Sequence, residues 1–131
     1  MDETRYGLMV KTRLDPASAE TAIRAALADE GFGILTEIDV AATMKAKLGL
    51  DRTPYKILGA CNPVLANQAL DAESDIGLLL PCNVAVYAEG EYTVVSVMEP
   101  RLMAQVTAND GLIDLAEEAR RRLAKALEAL D

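Results

Sequence analysis

Apolar residues recur along this chain at two spacings, every second position in some stretches and every third or fourth in others. The switches between the two spacings predict its elements. Tyr6, Leu8 and Val10 alternate with Gly7 and Met9, giving a first strand that is apolar on both faces, as an inner strand is. Leu14-Asp15-Pro16 then opens a helix, with Asp15 as N-cap and Pro16 where its missing N–H costs nothing. Ala19, Ala22, Ile23, Ala26 and Leu27 form the apolar stripe of that helix, and Gly31 and Gly33 end it. A second strand is expected over 32–38. Asp39 then caps a short helix over 40–48, apolar at Val40, Met44 and Leu48 and stopped by Gly49. A third strand over 55–61 leads into Asn62-Pro63, a repeat of the cap-and-proline signal, and a third helix to about Glu73. Residues 82–87 and 92–98 are β-rich runs joined by Ala88-Glu89-Gly90-Glu91, the pattern of a hairpin. After Pro100, residues 101–106 read as a short helix or loop. Asn109 or Asp110 then caps a last helix with the stripe Leu112, Ala116, Ala119, Leu123, Leu127 and Leu130.

The order is β-α-β-α-β-α-β-β-α, which predicts one α+β domain over 1–131, a sheet of about five strands with the longer helices packed against it. This order leaves parallel and antiparallel neighbours unsorted. Ile23, Leu27, Leu58, Val84, Val86, Val95, Leu115, Leu123 and Leu127 are expected to form one core.

Composition and charge narrow the function. With 51% hydrophobic residues, only 4% aromatics and no Trp, the core must be built from Leu, Ile, Val, Ala and Met. No apolar run approaches the ~20 residues that span a bilayer, and Met1 to Arg5 is too polar for a secretory leader, so a soluble cytoplasmic protein with no membrane partner is expected. The net charge of −8 disfavours nucleic acid, which is bound through Lys and Arg. The basic run Arg120-Arg121-Arg122 has Glu117, Glu118 and Glu128 within two turns and reads as a salt-bridged helix surface. The absence of His removes any Ser–His–Asp or Cys–His machinery within the chain. Apolar residues exceed what the short helices need to cover, which predicts a homodimer through the final helix or a sheet face.

Three blocks carry a resemblance over nearly the whole chain. They are Phe32-Gly33-Ile34-Leu35-Thr36-Glu37-Ile38-Asp39-Val40, Pro54-Tyr55-Lys56-Ile57-Leu58-Gly59-Ala60-Cys61-Asn62-Pro63 and Gly77-Leu78-Leu79-Leu80-Pro81-Cys82-Asn83-Val84. In this order they resemble the family known as domain of unknown function 302 (DUF302). The resemblance implies a small α+β domain, usually a dimer, found in bacteria and archaea. It implies no activity.

The chemistry-bearing residues concentrate between Tyr55 and Tyr87, which holds both cysteines, each followed by an asparagine: Cys61-Asn62 and Cys82-Asn83. A thiol just ahead of a helix N-terminus lies near the positive end of the dipole, which lowers its pKa below the free value of about 8.5 and favours reactivity. The expectation is that both sulfurs lie at one end of the sheet, within ~10 Å, with Asn62 or Asn83 nearby, and the candidate pocket is Cys61, Asn62, Cys82 and Asn83. Against it stands the habit of buried cysteine to behave as a small hydrophobe. No cofactor is expected. Two thiolates without His fall two ligands short of a structural zinc site, which leaves a two-coordinate Cu(I) site at Cys61 and Cys82, or a four-cysteine site across a dimer axis, as the soft-metal alternatives. Glu37 and Asp39 share a strand face but Asp39 is more economical as a helix cap, and Lys56 reads as an exposed strand residue. Two functions therefore compete: a non-catalytic homodimeric binding or interaction protein, and a thiol protein that transfers sulfur or redox equivalents or holds a soft metal through Cys61 and Cys82.

Overall fold

The computed structural model describes all residues from 1 to 131, organised around one sheet. Its strands are β1 (Asp2–Glu3), β2 (Gly7–Thr12), β3 (Gly33–Asp39), β4 (Tyr55–Cys61), β5 (Cys82–Glu89) and β6 (Tyr92–Met98). Its helices are α1 (Pro16–Asp29), α2 (Val40–Leu48), α3 (Pro63–Ala72), α4 (Arg101–Thr107) and α5 (Ile113–Glu128), with 3₁₀ turns at Ser74–Leu79 and Asp110–Leu112. The spatial strand order is β1-β2-β6-β5-β4-β3, and every neighbouring pair is antiparallel. The α+β class predicted from the element order holds.

The sheet has six strands where about five were expected. The extra one is β1, whose Asp2 and Glu3 carry no strand signal and which forms because Met9 and Leu8 of β2 offer it an open edge. The first strand also begins after Tyr6, which is left 73% exposed. Helix caps follow the sequence closely. Asp15 accepts from the Ser18 N–H at 2.7 Å, Asp39 from Ala42 at 2.9 Å and Asn62 from Leu65 at 3.2 Å. Asn109 is the exception. It accepts from the Gly111 N–H at 2.8 Å and caps the 3₁₀ turn, so α5 itself starts at Ile113 with no side-chain cap.

The strands alternate, and the two faces of the sheet have different fates. On one face lie Leu8 and Val10 of β2, Leu58 and Ala60 of β4, Val84 and Val86 of β5, and Val95 and Val97 of β6. These pack with Ala19, Ile23, Ala26 and Leu27 of α1 and with Leu123, Ala126 and Leu127 of α5 into one core. Leu115, expected there, belongs instead to a smaller cluster with Ala69, Ile76, Met103 and Leu112, because the segment from α3 to the first 3₁₀ turn forms its own hydrophobic seam with α4. Helix α2 buries no residue, and its Leu48 is exposed, so its apolar side packs only loosely beside β4.

The opposite face carries Met9 and Lys11 of β2, Val94 and Ser96 of β6, Asn83, Ala85 and Tyr87 of β5, Tyr55 and Ile57 of β4, and Thr36 and Ile38 of β3. Neither main-layer helix lies on it. One irregularity falls in β3, where Ile34 opposes Ala60 but Thr36 opposes Gly59, so Leu35 is an extra residue bulged from the ladder.

Candidate functional site

Antiparallel pairing of β4 with β5 puts the end of one beside the start of the other, so both cysteines lie at the same end of the sheet. They do not form a pair there. The residue opposite Cys82 is Ala60, not Cys61. Both cysteines are free. Cys82 is buried in the main core and functions as a small hydrophobe. That burial, reinforced by the neighbouring Cys61, pushes its thiol up to about 11, which removes it as a nucleophile at neutral pH.

Three of the four candidate residues border one cavity and the fourth does not. Cys61, Asn62 and Cys82 border an apolar cavity of about 30 Å³ between the two hydrophobic clusters, closed by Leu65, Leu80 and Met103. That volume holds one or two waters, not an organic ligand. Asn62 is buried here as a structural residue. It caps α3, and Gly31, at φ +83°, ends α1 directly against its amide, where a Cβ would fall 2.9 Å from Nδ2. Asn83 departs from the expectation of a shared pocket: it stands opposite Gly59 and lines the other face of the sheet. Its position follows from alternation, since a residue next to core-facing Cys82 must face away from the core. No group of three or more Cys, Asp or Glu side chains is placed to hold a metal ion.

The charged candidates at Glu37 and Lys56 are paired. Lys56 Nζ lies 2.7 Å from Glu37 and 3.0 Å from Glu20, and Arg24 lies 2.7 Å from Glu37 and 2.9 Å from Glu20. The hydrogen bond from Lys56 holds the Glu37 carboxyl below its ordinary value, and the bond to Glu37 holds the Lys56 amine above its own. The Glu37–Asp39 carboxylates are thus a member of an ion-pair square and a helix cap, not an acid–base pair. A cleft of about 490 Å³ beside this square is bordered by the starts of α1 and α2, whose N-termini are already capped by Asp15 and Asp39. The basic run of α5 behaves as its spacing suggests: Arg121 and Arg122 pair with Glu118, while Arg120 pairs with Glu99 and Glu3.

What remains uncommitted is the helix-free sheet face. Tyr55 and Tyr87 stack across β4 and β5 with ring centroids 5.0 Å apart and planes 9° apart. Beside them Tyr6, Gly7, Ile57, Asn83, Ala85 and Ser96 line a concavity of about 280 Å³. The only opposed charges on this face are Lys11 and Glu89, 3.7 Å apart near one margin. The sequence held a signal for this surface in strands apolar on both sides, as in Leu8-Met9-Val10 and Val94-Val95, a pattern that predicts a cover for each face.

A six-stranded antiparallel sheet with helices on one face and a partly aromatic surface on the other defines a small two-layer α+β protein. The family model described as "Domain of unknown function DUF302" matches residues 8–130, and the chain belongs to that family. The chain is also similar to a solved structure, the crystal structure of an uncharacterized conserved protein DUF302 from Bacillus stearothermophilus. The two share 28% sequence identity with a TM-score of 0.91, over 98% of this chain and 100% of that one. No curated protein matches the chain. No helix is long and apolar enough to cross a membrane.

Proposed function

We propose that this protein is a non-catalytic binding or interaction protein that acts as a homodimer joined through its helix-free sheet face. One observation carries the reading: in a chain of net charge −8, that face presents Met9, Ile38, Tyr55, Ile57, Ala85 and Tyr87 with a single ion pair at its margin. A second copy is the occupant best matched to it, because two such faces are alike in being neutral and apolar, and two-fold association sets the same patch against itself. The area suffices. Five full strands spaced ~4.8 Å apart and about seven residues long make a face of roughly 24 by 23 Å, so two copies bury about 1,100 Å² before side-chain relief is added, close to the lower bound for a specific interface. Placement in the cytoplasm agrees with the two free thiols, and the acidic balance argues against nucleic acid as the partner.

Sedimentation equilibrium tests the assembly. At micromolar concentration the wild-type chain should sediment at twice its 14.0 kDa mass. Ala85→Arg, which sets an unpaired charge in the middle of the face, should return it to the monomer with its circular dichroism unchanged. A wild-type monomer, or a dimer indifferent to Ala85→Arg, overturns the reading.

A further inference from the structure

The concavity on the open face differs chemically from the rest of that surface. Its floor is Ile57 and Ala85, with the Tyr55 ring, itself stacked on Tyr87, as one wall and the exposed Tyr6 at the rim. Two short polar side chains, Asn83 and Ser96, point into it from adjacent strands. Gly7 keeps the space beside Ser96 open, since a Cβ there would come 3.3 Å from the Ser96 hydroxyl and 3.0 Å from the Val97 carbonyl oxygen. No Lys, Arg, Asp or Glu lines the concavity.

We infer that this concavity is a ligand site for a small, uncharged, planar molecule carrying both a hydrogen-bond donor and an acceptor. The inference rests on the homodimer, whose second copy would roof the concavity. Burying Asn83 and Ser96 at such an interface without partners would leave their polar groups unsatisfied, at the full cost of desolvation. A ligand that bonds both removes that cost. The Asn83 amide supplies donor and acceptor together, and the Ser96 hydroxyl either one, so a primary or cyclic amide is matched group for group. The flat sheet floor and the Tyr55 ring select for planarity. Charge is excluded on both signs, because an ion enclosed here would meet no counter-charge. The volume, about 280 Å³, suits one ring with a small substituent.

Three probes of one shape and different charge test this: benzamide, benzoate and benzamidine. Backbone amide resonances of the wild-type dimer would be followed during titration with each. Benzamide should give saturable shifts centred on Ile57, Asn83, Ala85 and Ser96, and the two ions should bind at least tenfold more weakly. Asn83→Leu, which keeps the side-chain bulk and removes the amide, should weaken benzamide at least fivefold, and Ser96→Ala should weaken it by a smaller factor. Sedimentation of each variant separates loss of the site from loss of the dimer. A wild-type dimer that gives no saturable benzamide shifts, or that binds benzoate equally well, overturns the ligand site and leaves the dimer standing. A wild-type monomer overturns both.

Discussion

Leu123→Ala probes the central packing of the fold. Leu123 is fully buried on α5, inside the cluster that joins α1, α5 and strands β2, β4, β5 and β6. Truncation removes about three methylene equivalents, at ~0.8 kcal/mol each, or about 2.4 kcal/mol of transfer free energy. The void adds to this. Its neighbours Ile23, Leu27 and Leu127 are fixed on two helices and the strands beneath are held by ladders, so collapse is limited and a further ~1–2 kcal/mol is expected from residual cavity volume. The total, about 3.5–4.5 kcal/mol, is a large share of the ~5–15 kcal/mol that holds a domain of this size folded. Urea titration followed by far-ultraviolet circular dichroism would measure it, with the midpoint falling and the slope unchanged. A loss below about 1 kcal/mol would refute the placement of α5 against the sheet. Leu115→Ala is the internal comparison, since that residue is only half-buried in the smaller cluster and should cost clearly less.

Two further predictions test the geometry around β4. Between pH 9 and 11 the buried Cys82 thiol keeps its proton while the unfolded chain loses it, so the stability present below pH 9 declines as pH rises, by roughly 2–3 kcal/mol at ~1.4 kcal/mol per pH unit. Over that range the wild-type urea midpoint should fall more steeply than that of Cys82→Ala, and parallel pH profiles would show that the thiol is not buried. At Gly59 an added Cβ would fall on the Thr36 hydroxyl and 2.8 Å from Pro81 Cγ, so Gly59→Ala should cost ~1–3 kcal/mol. Thr36→Ala in the same chain should recover part of it, and strictly additive losses by urea titration would place the two residues apart.

The helices and the core were legible in the sequence because each is fixed by local chemistry. Asp15-Pro16 and Asn62-Pro63 announce their helix starts, and the α5 stripe from Ala116 to Leu127 maps directly onto buried positions. Strand order was not legible, since the antiparallel placement of β4 against β5 depends on how far the α3 segment travels and not on any residue within it. The candidate site suffered from the same gap. Cys61, Asn62 and Cys82 do gather at one end of the sheet, but Asn83 lies on the other face, a difference of one residue in alternation that a turn-centred reading of Cys82-Asn83 overlooked. The concavity at Ser96 and Tyr6 joins β5, β6 and the segment before β2, which only the completed sheet brings together.

The bulge at Leu35 bears on what kind of assembly this protein can form. Strand β3 is the outermost long strand, and its free edge offers a row of backbone groups that can template another chain. The extra residue interrupts that row after Ile34. At the other edge, β1 exposes only two residues, both acidic. Addition at an edge has no natural end, because each new strand presents a fresh one, and its product is a filament. Contact between faces consumes the surface that makes it and stops at two. In the proposed dimer, a sheet whose edges are short or bulged and whose apolar surface lies on one face gives a particle of fixed size.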